Sequence, residues 1–289
     1  MKQLFKAPQM RRALGVALAL ALALSLGACK KSDDSKSGGG TQSKTDVVLA
    51  TTTSTQDSGL LDVLEPKFEE AYPQYNLQII AVGTGEALKL GETKDADVLL
   101  VHAKADEEKF VAAGYGIERR DVMYNDFIIV GPAADPSGVK GSADTTAAMV
   151  AIASGKAPFV SRADDSGTNK KELKLWAAAS VVPTATGDWY VQTGQGMGDT
   201  LKIASEKQAY TLTDRATYLS LKDSLDLEIS FEGDKGLFNQ YGVIVVKGAK
   251  NEQGGQAFFD WILSADTQKF IGEFGVDTYA QALFTPNAK

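Results

Sequence analysis

The residues best suited to chemistry lie in one polar stretch, Ser161-Arg162-Ala163-Asp164-Asp165-Ser166-Gly167-Thr168-Asn169-Lys170-Lys171-Glu172. It follows the apolar run Ala157-Pro158-Phe159-Val160 and precedes Leu173, Leu175, Trp176 and Ala179 at helical spacing. The pattern predicts a strand, a tight turn and the first turn of a helix. A helix start leaves about four backbone N–H groups without partners and carries roughly half a positive charge. Ser166, Gly167 and Thr168 fall at that start, and Arg162 stands just before it. Hydroxyl, amide and guanidinium donors at one place are the equipment for holding an anion. The same residues also read as a plain N-cap, with Arg162 paired to Asp164 or Asp165. On this stretch alone the two readings stand level.

Three other stretches repeat the chemistry. Thr51-Thr52-Thr53-Ser54-Thr55-Gln56-Asp57-Ser58-Gly59 lies between the β-rich run Asp46–Ala50 and a helical pattern of Leu60, Leu61, Leu64, Phe68 and Tyr72. Pro66 marks a kink or break in that helix. Gly83-Thr84-Gly85-Glu86 joins the strand Leu77–Val82 to a helix through Ala87, Leu88 and Leu90. The two glycines allow close approach to the backbone. This is no dinucleotide fingerprint, because Leu88 stands where the third Gly of GxGxxG belongs, and no G-K-[ST] follows. The strand Ala209–Thr213 leads into Asp214-Arg215-Ala216-Thr217-Tyr218, and Thr213–Thr217 is the junction. Each stretch alone also reads as a capped helix start. Together they are four donor-rich junctions at the carboxyl ends of strands, where open α/β sheets bind ligands. The candidate set is Thr52, Thr53, Ser54, Thr84, Gly85, Arg162, Ser166, Gly167, Thr168 and Arg215.

Catalysis finds little support. The chain has one His and one Cys. His102 has no second His or Cys nearby and reads as structural. Asp164 and Asp165 are adjacent, so in a strand they point apart and make a poor acid–base pair. Asp57, Asp95, Asp97 and Asp214 lack the spacing of a metal site. No catalytic residue, metal ligand or cofactor is expected.

The elements that must position these junctions follow from the order β-α-β-α-β-α-β up to Val130, the pattern of a parallel sheet with crossover helices. The Pro/Gly/Ser-rich segment 133–142 marks a crossing into a second lobe. Gly242–Val246 is an apolar strand that returns the chain to the first. The expected lobes are residues 46–131 with 240–289, and residues 132–239. Phe258, Phe259, Ile262, Phe270 and Phe274 belong to closing helices of the core.

The N-terminus is different material. Lys2, Lys6, Arg11 and Arg12 precede the apolar run Ala13–Leu26, which is short for a membrane span and suits a signal peptide over residues 1–28. Leu26-Gly27-Ala28-Cys29 resembles the lipobox of bacterial lipoproteins, which implies a lipid on Cys29. Residues 30–45 lack large apolar side chains and read as a flexible tether. Removing residues 1–28 takes away four of the 30 basic residues and none of the 37 acidic ones, leaving a net charge of −11. So acidic a chain is a poor partner for nucleic acid. Any anion must be held by local donors against a repulsive overall field.

From Asp46 onward the chain is similar to the tungstate-binding lipoproteins of bacterial ABC importers. The residues that carry this are Thr51–Thr55, Val82-Gly83-Thr84-Gly85, Asp95–His102, Ser161–Glu172 and Thr211–Arg215. Arg-x-Asp-x-Ser-Gly-Thr is shared more widely, including with phosphate-binding proteins. The resemblance implies an α/β, two-lobed type II periplasmic-binding architecture, each lobe a mostly parallel sheet flanked by helices, with the ligand in the interlobe cleft. It implies capture of tungstate for an ABC permease by a monomer held outside a membrane. Molybdate or phosphate are alternative ligands; a periplasmic hydrolase or a structural lipoprotein are alternatives of other classes. Three positions depart from the pattern: Ala163 and Ala216, where Gly is common, and Asn169, where His is common.

Overall fold

The computed structural model describes residues 43–183 and 188–289. The expected signal peptide, Cys29 and all but the last residues of the tether lie outside the described residues.

The first half alternates strands and helices: β1 (Thr45–Thr52), α1 (Thr53–Asp57), α2 (Leu60–Ala71), β2 (Tyr75–Val82), α3 (Thr84–Glu92), β3 (Val98–Val101) and α4 (Lys104–Ala112). β1 lies between β2 and β3 and runs parallel to both, as crossover helices require. β3 is an unbroken apolar run, buried throughout, because helices cover both faces of the sheet. Val98 and Leu100 pack with Leu61, Phe68 and Phe258; Leu99 and Val101 pack with Ala87, Leu88 and Phe110. Pro66 does not break α2, which continues through it with the proline on the exposed side.

β4 (Gly116–Gly131) is the long strand of the molecule. The sequence reading placed a strand only over its apolar end, Phe127–Val130. Up to Asp126 it pairs antiparallel with β9 (Phe238–Val246), and near Met123 and Tyr124 with β10 (Thr285–Pro286). From Phe127 it pairs with β7 (Thr211–Asp214) and β8 (Glu228–Phe231). One strand thus belongs to both sheets, and the chain crosses between them at Asp126–Phe127 rather than in the Pro132 segment. The pairing with β9 is interrupted between Asp121 and Met123, and the pairing with β8 between Ile129 and Val130, while the pairing with β7 runs regularly through that point.

The second half adds α5 (Thr145–Gly155), β5 (Phe159–Ser161), α6 (Gly167–Ala178), β6 (Tyr190–Gln192), α7 (Met197–Glu206) and α8 (Arg215–Leu221). β5 is parallel to β6, and Phe159 bridges Tyr210 in the same sense. Two further clusters fill this half, one around Phe159, Trp176 and Tyr210, the other around Val160, Met197 and Leu201. α9 (Glu252–Leu263), α10 (Ala265–Glu273) and α11 (Val276–Tyr279) close the chain.

The α/β class stands, but the sheets are mixed where mostly parallel ones were expected. The chain leaves the first half on β4 and returns on β9. Neighbouring strands that carry a chain out and back must run in opposite directions, and these two do.

Candidate functional site

All four expected strand-to-helix junctions form: β1 to α1, β2 through Gly83 to α3, β5 through residues 162–166 to α6, and β7 to α8. The first three are drawn into one cluster. Arg162 Nη2 donates to Thr53 Oγ1 (2.8 Å) and to Asp164 Oδ2 (2.5 Å). The Gly167 N–H donates to Thr84 Oγ1 (3.1 Å), and the Gly85 N–H to the Asp165 carbonyl (3.3 Å). A Cβ on Gly83 would meet the Asp164 carbonyl at 2.8 Å, and one on Gly167 would meet the His102 ring at 2.7 Å. These two glycines let α3, α6 and the end of β3 touch backbone to backbone.

Burial sets the electrostatics. Thr52, Ser54, Thr84, Ser166 and Thr168 are buried, and Arg162 is 1% exposed. Yet Arg162 Nε and Nη1 have no hydrogen-bond partner, and neither has Thr168 Oγ1. Each unmet buried donor costs about 1–3 kcal/mol, and more on a charged group. Ser166 is the cap of α6, accepting from the Asn169 N–H (3.1 Å); its own proton remains to donate. By contrast no side chain caps α1 or α3. Thr52 Oγ1 lies 3.1 Å from Ser54 Oγ and 2.8 Å from Thr55 Oγ1, so the hydroxyl run forms a hydrogen-bonded group of its own.

The Arg162 turn is anchored from behind. Glu172 is buried and accepts from Ser161 Oγ (2.7 Å), Trp176 Nε1 (2.9 Å) and Tyr190 OH (2.7 Å). Its pKa is raised, because burial outweighs those three donors. Ala163 and Asp165 sit in the left-handed region, at φ 50° and 57°, so Ala163 stands where glycine would be unstrained. Asn169 Oδ1 accepts from the Asp165 N–H (3.3 Å) and knits the turn to α6.

The structure does not bring Arg215 into the cluster. Its guanidinium grips Asp126 through two bonds (2.8 and 2.6 Å) and reaches Glu232 at 2.5 Å. Those carboxylates lie far from it in sequence, and nothing near Arg215 signals them. The fourth junction supports the first instead. Asp214 caps α8 through the Thr217 N–H (2.9 Å), and Thr217 Oγ1 lies 3.1 Å from the Ser54 carbonyl. Burial pushes the Asp214 carboxyl up to about 6. Ala216 is buried in the first turn of α8 and has no positive φ.

Two contributors escaped the sequence reading. A fifth junction, β6 to α7, reaches the cluster: the Met197 N–H donates to Thr53 Oγ1 (3.3 Å) and the Gly198 N–H to Asp57 Oδ2 (2.9 Å). β6 is too short to show a strand pattern, though Gly194-Gln195-Gly196 before a helix was a usable sign. The other is His102, whose Nε2 lies 3.1 Å from Ser54 Oγ and whose Nδ1 lies 2.9 Å from Asn239 Oδ1. Among the described residues no three His, Cys, Asp or Glu side chains group as a metal site. The assembled chemistry is a buried guanidinium, hydroxyls and helix-start amides from both halves of the molecule, all suited to an anion.

Comparison with known proteins agrees. Residues 39–266 match the model of the PBP superfamily domain. The chain is 55% identical over 254 residues to the tungstate-binding protein TupA of Peptoclostridium acidaminophilum, covering 86% of this chain and 88% of that protein. It matches the structure of the tungstate ABC transporter from Geobacter sulfurreducens with TM-score 0.71 at 47% identity, over 79% of this chain and 98% of that one. It matches the tungstate-binding protein TupA from Desulfovibrio alaskensis G20 with TM-score 0.69 at 49% identity, over 84% and 99%. The chain therefore belongs to the PBP superfamily and, within it, to the family of the tungstate-binding proteins TupA.

Proposed function

We propose that this protein captures tungstate, a fully ionised tetrahedral oxyanion, between its two halves and presents it to the permease of an ABC importer. The observation that carries the reading is the buried Arg162 guanidinium, whose Nε and Nη1 are unpartnered; the buried Thr168 hydroxyl is unpartnered too. Thr52, Thr53, Ser54 and Thr84 contribute hydroxyls from the first half, and Arg162, Ser166 and Thr168 contribute donors from the second, while the Gly85 and Gly167 amides are already used in bonds between the halves. Arg215 drops out of the set, since its guanidinium is taken by Asp126 and Glu232. A buried site strengthens each charge-assisted hydrogen bond.

Tungstate and sulfate offer only acceptors, whereas a protonated phosphate also needs a carboxylate to accept its proton. Asp164 accepts one bond on each oxygen, from Arg162 and from the Ser166 N–H, and each oxygen keeps a second lone pair. Phosphate therefore stays the alternative ligand. Tungstate over molybdate is supported by the names of the relatives. On this reading the protein performs no chemical step and uses no cofactor. It acts as a monomer outside the membrane, tethered by a lipid on Cys29.

Titration calorimetry with tungstate, molybdate, sulfate and phosphate tests the reading. Wild type binds tungstate, and Arg162→Ala loses about a hundredfold or more, the usual penalty for breaking a buried charge contact. Undiminished tungstate binding by Arg162→Ala, or equal binding of all four anions, overturns it.

A further inference from the structure

His102 Nε2 lies 3.1 Å from Ser54 Oγ, and the orientation of the Asn239 amide selects the tautomer of its ring. Asn239 Nδ2 donates to Asn125 Oδ1 (2.7 Å) and lies 3.4 Å from Tyr241 OH. The Asn239 oxygen is therefore turned to His102 Nδ1, and an amide oxygen only accepts. In this amide orientation Nδ1 carries the proton. Burial holds the imidazole neutral, with its pKa pushed down to about 4. Nε2 then presents a lone pair, and the Ser54 hydroxyl, 3.1 Å away, must donate to it.

A hydroxyl has one proton. While Ser54 gives it to His102, Ser54 Oγ has only lone pairs left, one of them toward Thr52 Oγ1 at 3.1 Å. A fully ionised oxyanion also shows only lone pairs. The two repel unless Ser54 turns its proton outward, and that leaves His102 Nε2 as a buried acceptor without a donor. One proton from solvent on Nε2 resolves the conflict. Nε2–H then donates to Ser54 Oγ, and Ser54 donates to the anion. A solvent or buffer acid gives up the proton and Nε2 gains an N–H bond; no other covalent bond changes, and the added charge offsets one of the anion's two.

We propose that His102 is the positioning residue for Ser54, and that capture of an oxyanion is coupled to uptake of one proton by its imidazole. This rests on the oxyanion reading above. The surrounding charges fit. Arg162 disfavours the imidazolium and Asp164 favours it. His102 also borders a groove of about 420 Å³ with Lys104, Lys170, Lys171, Lys174 and Glu108. The ring faces of Tyr241 and Phe127 lie alongside, at 4.8 and 6.0 Å between centroids, and carry no charge. An arriving dianion cancels Arg162 and reverses the balance. Asp57 and Asp214, the other buried carboxyls that feel Arg162, are the competing proton acceptors.

The chain has one histidine, so a single imidazole reports the event. The experiment is long-range ¹H–¹⁵N correlation on tag-free labelled protein at pH 7, with and without saturating tungstate. Without tungstate, Nδ1 gives the protonated-type shift and Nε2 the lone-pair type. With it, both become protonated-type, and calorimetry in buffers of different ionisation enthalpy reads uptake approaching one proton. Affinity rises by up to about tenfold for each pH unit lowered. In Ser54→Ala the ligand-induced rise in the imidazole midpoint shrinks by about one pH unit or more. Saturable tungstate binding with a neutral imidazole, or a rise undiminished in Ser54→Ala, overturns this inference and leaves the oxyanion reading standing. No spectral or calorimetric response to tungstate overturns both.

Discussion

Arg162 gives up most of the hydrogen bonds a guanidinium can make and is buried all the same. Nη2 alone is partnered, and one of its partners, Thr53 Oγ1, is held in turn by the Met197 amide. Thr53→Val removes the hydroxyl and keeps the shape. It is expected to weaken tungstate binding by about tenfold, the cost of one bond to a charged group, as read by calorimetry. Arg215→Ala is expected to leave tungstate affinity unchanged, since both its carboxylate partners lie outside the cluster. The contrast between these two arginines shows what a sequence carries at this scale. Donor side chains at strand ends are visible in it, and Arg162 and Thr52–Ser54 stand at strand-to-helix junctions. Which carboxylate takes a given arginine is decided by residues such as Asp126 and Glu232, distant in sequence. His102 was dismissed for want of a second ligand residue, whereas its partners are Ser54 and Asn239, amide and hydroxyl groups that no metal or triad pattern includes.

His102 also governs acid stability. Its folded pKa is depressed from 6.5 to about 4. Its contribution is therefore full above pH 6.5 and is lost as pH falls toward 4, about 3 kcal/mol in all. Asp214 has the opposite sign. Its folded pKa is raised from 3.8 to about 6, so its contribution is present below pH 3.8 and lost as pH rises through 6. Urea unfolding of His102→Gln at pH 7 and pH 4.5, without ligand, should show less acid destabilisation than wild type.

Among elements, the turns decide the outcome. The β5–α6 turn places Ala163 at φ 50°, a conformation that costs an L-residue about 1–2 kcal/mol and glycine almost nothing. Ala163→Gly is expected to stabilise the protein by about 0.5 kcal/mol after the added entropy of the unfolded chain is subtracted, measured by urea unfolding. Gly167→Ala should do the reverse. Its Cβ would lie 2.7 Å from the His102 ring and 2.9 Å from the His102 carbonyl oxygen, and that backbone atom cannot swing aside. Overpacking of this kind costs about 1–3 kcal/mol, visible as a lower melting temperature together with weaker tungstate binding. The sequence carried the helices and parallel strands well, because amphipathic and apolar runs have a period. The first part of β4, Gly-Ile-Glu-Arg-Arg-Asp-Val-Met-Tyr-Asn-Asp, has none. Its residues alternate irregularly between exposure and burial, and its pairing is set by β9, a strand more than a hundred residues later.

For the molecule as a whole, the contacts that surround the site are also contacts between its two halves. Thr53 and Thr84 from one half meet Arg162 and Gly167 from the other. An anion added to this set would draw the halves together. Small-angle scattering should therefore show a smaller radius of gyration for wild type with tungstate than without, and no change for Arg162→Ala. The acidic balance of the chain opposes anion approach at long range, so capture depends on these short contacts.

The passage of β4 through both sheets determines how such a movement is resisted. A loop at Asp126–Phe127 would act as a free pivot, but here the backbone on each side of that point is locked into ladders. Compliance then lies where the β9 pairing is broken at Asp121–Met123 and the β8 pairing at Ile129–Val130, since the β7 ladder holds Ile129 and Val130 on its other side. A movement between the halves therefore bends one continuous strand instead of turning about a free loop.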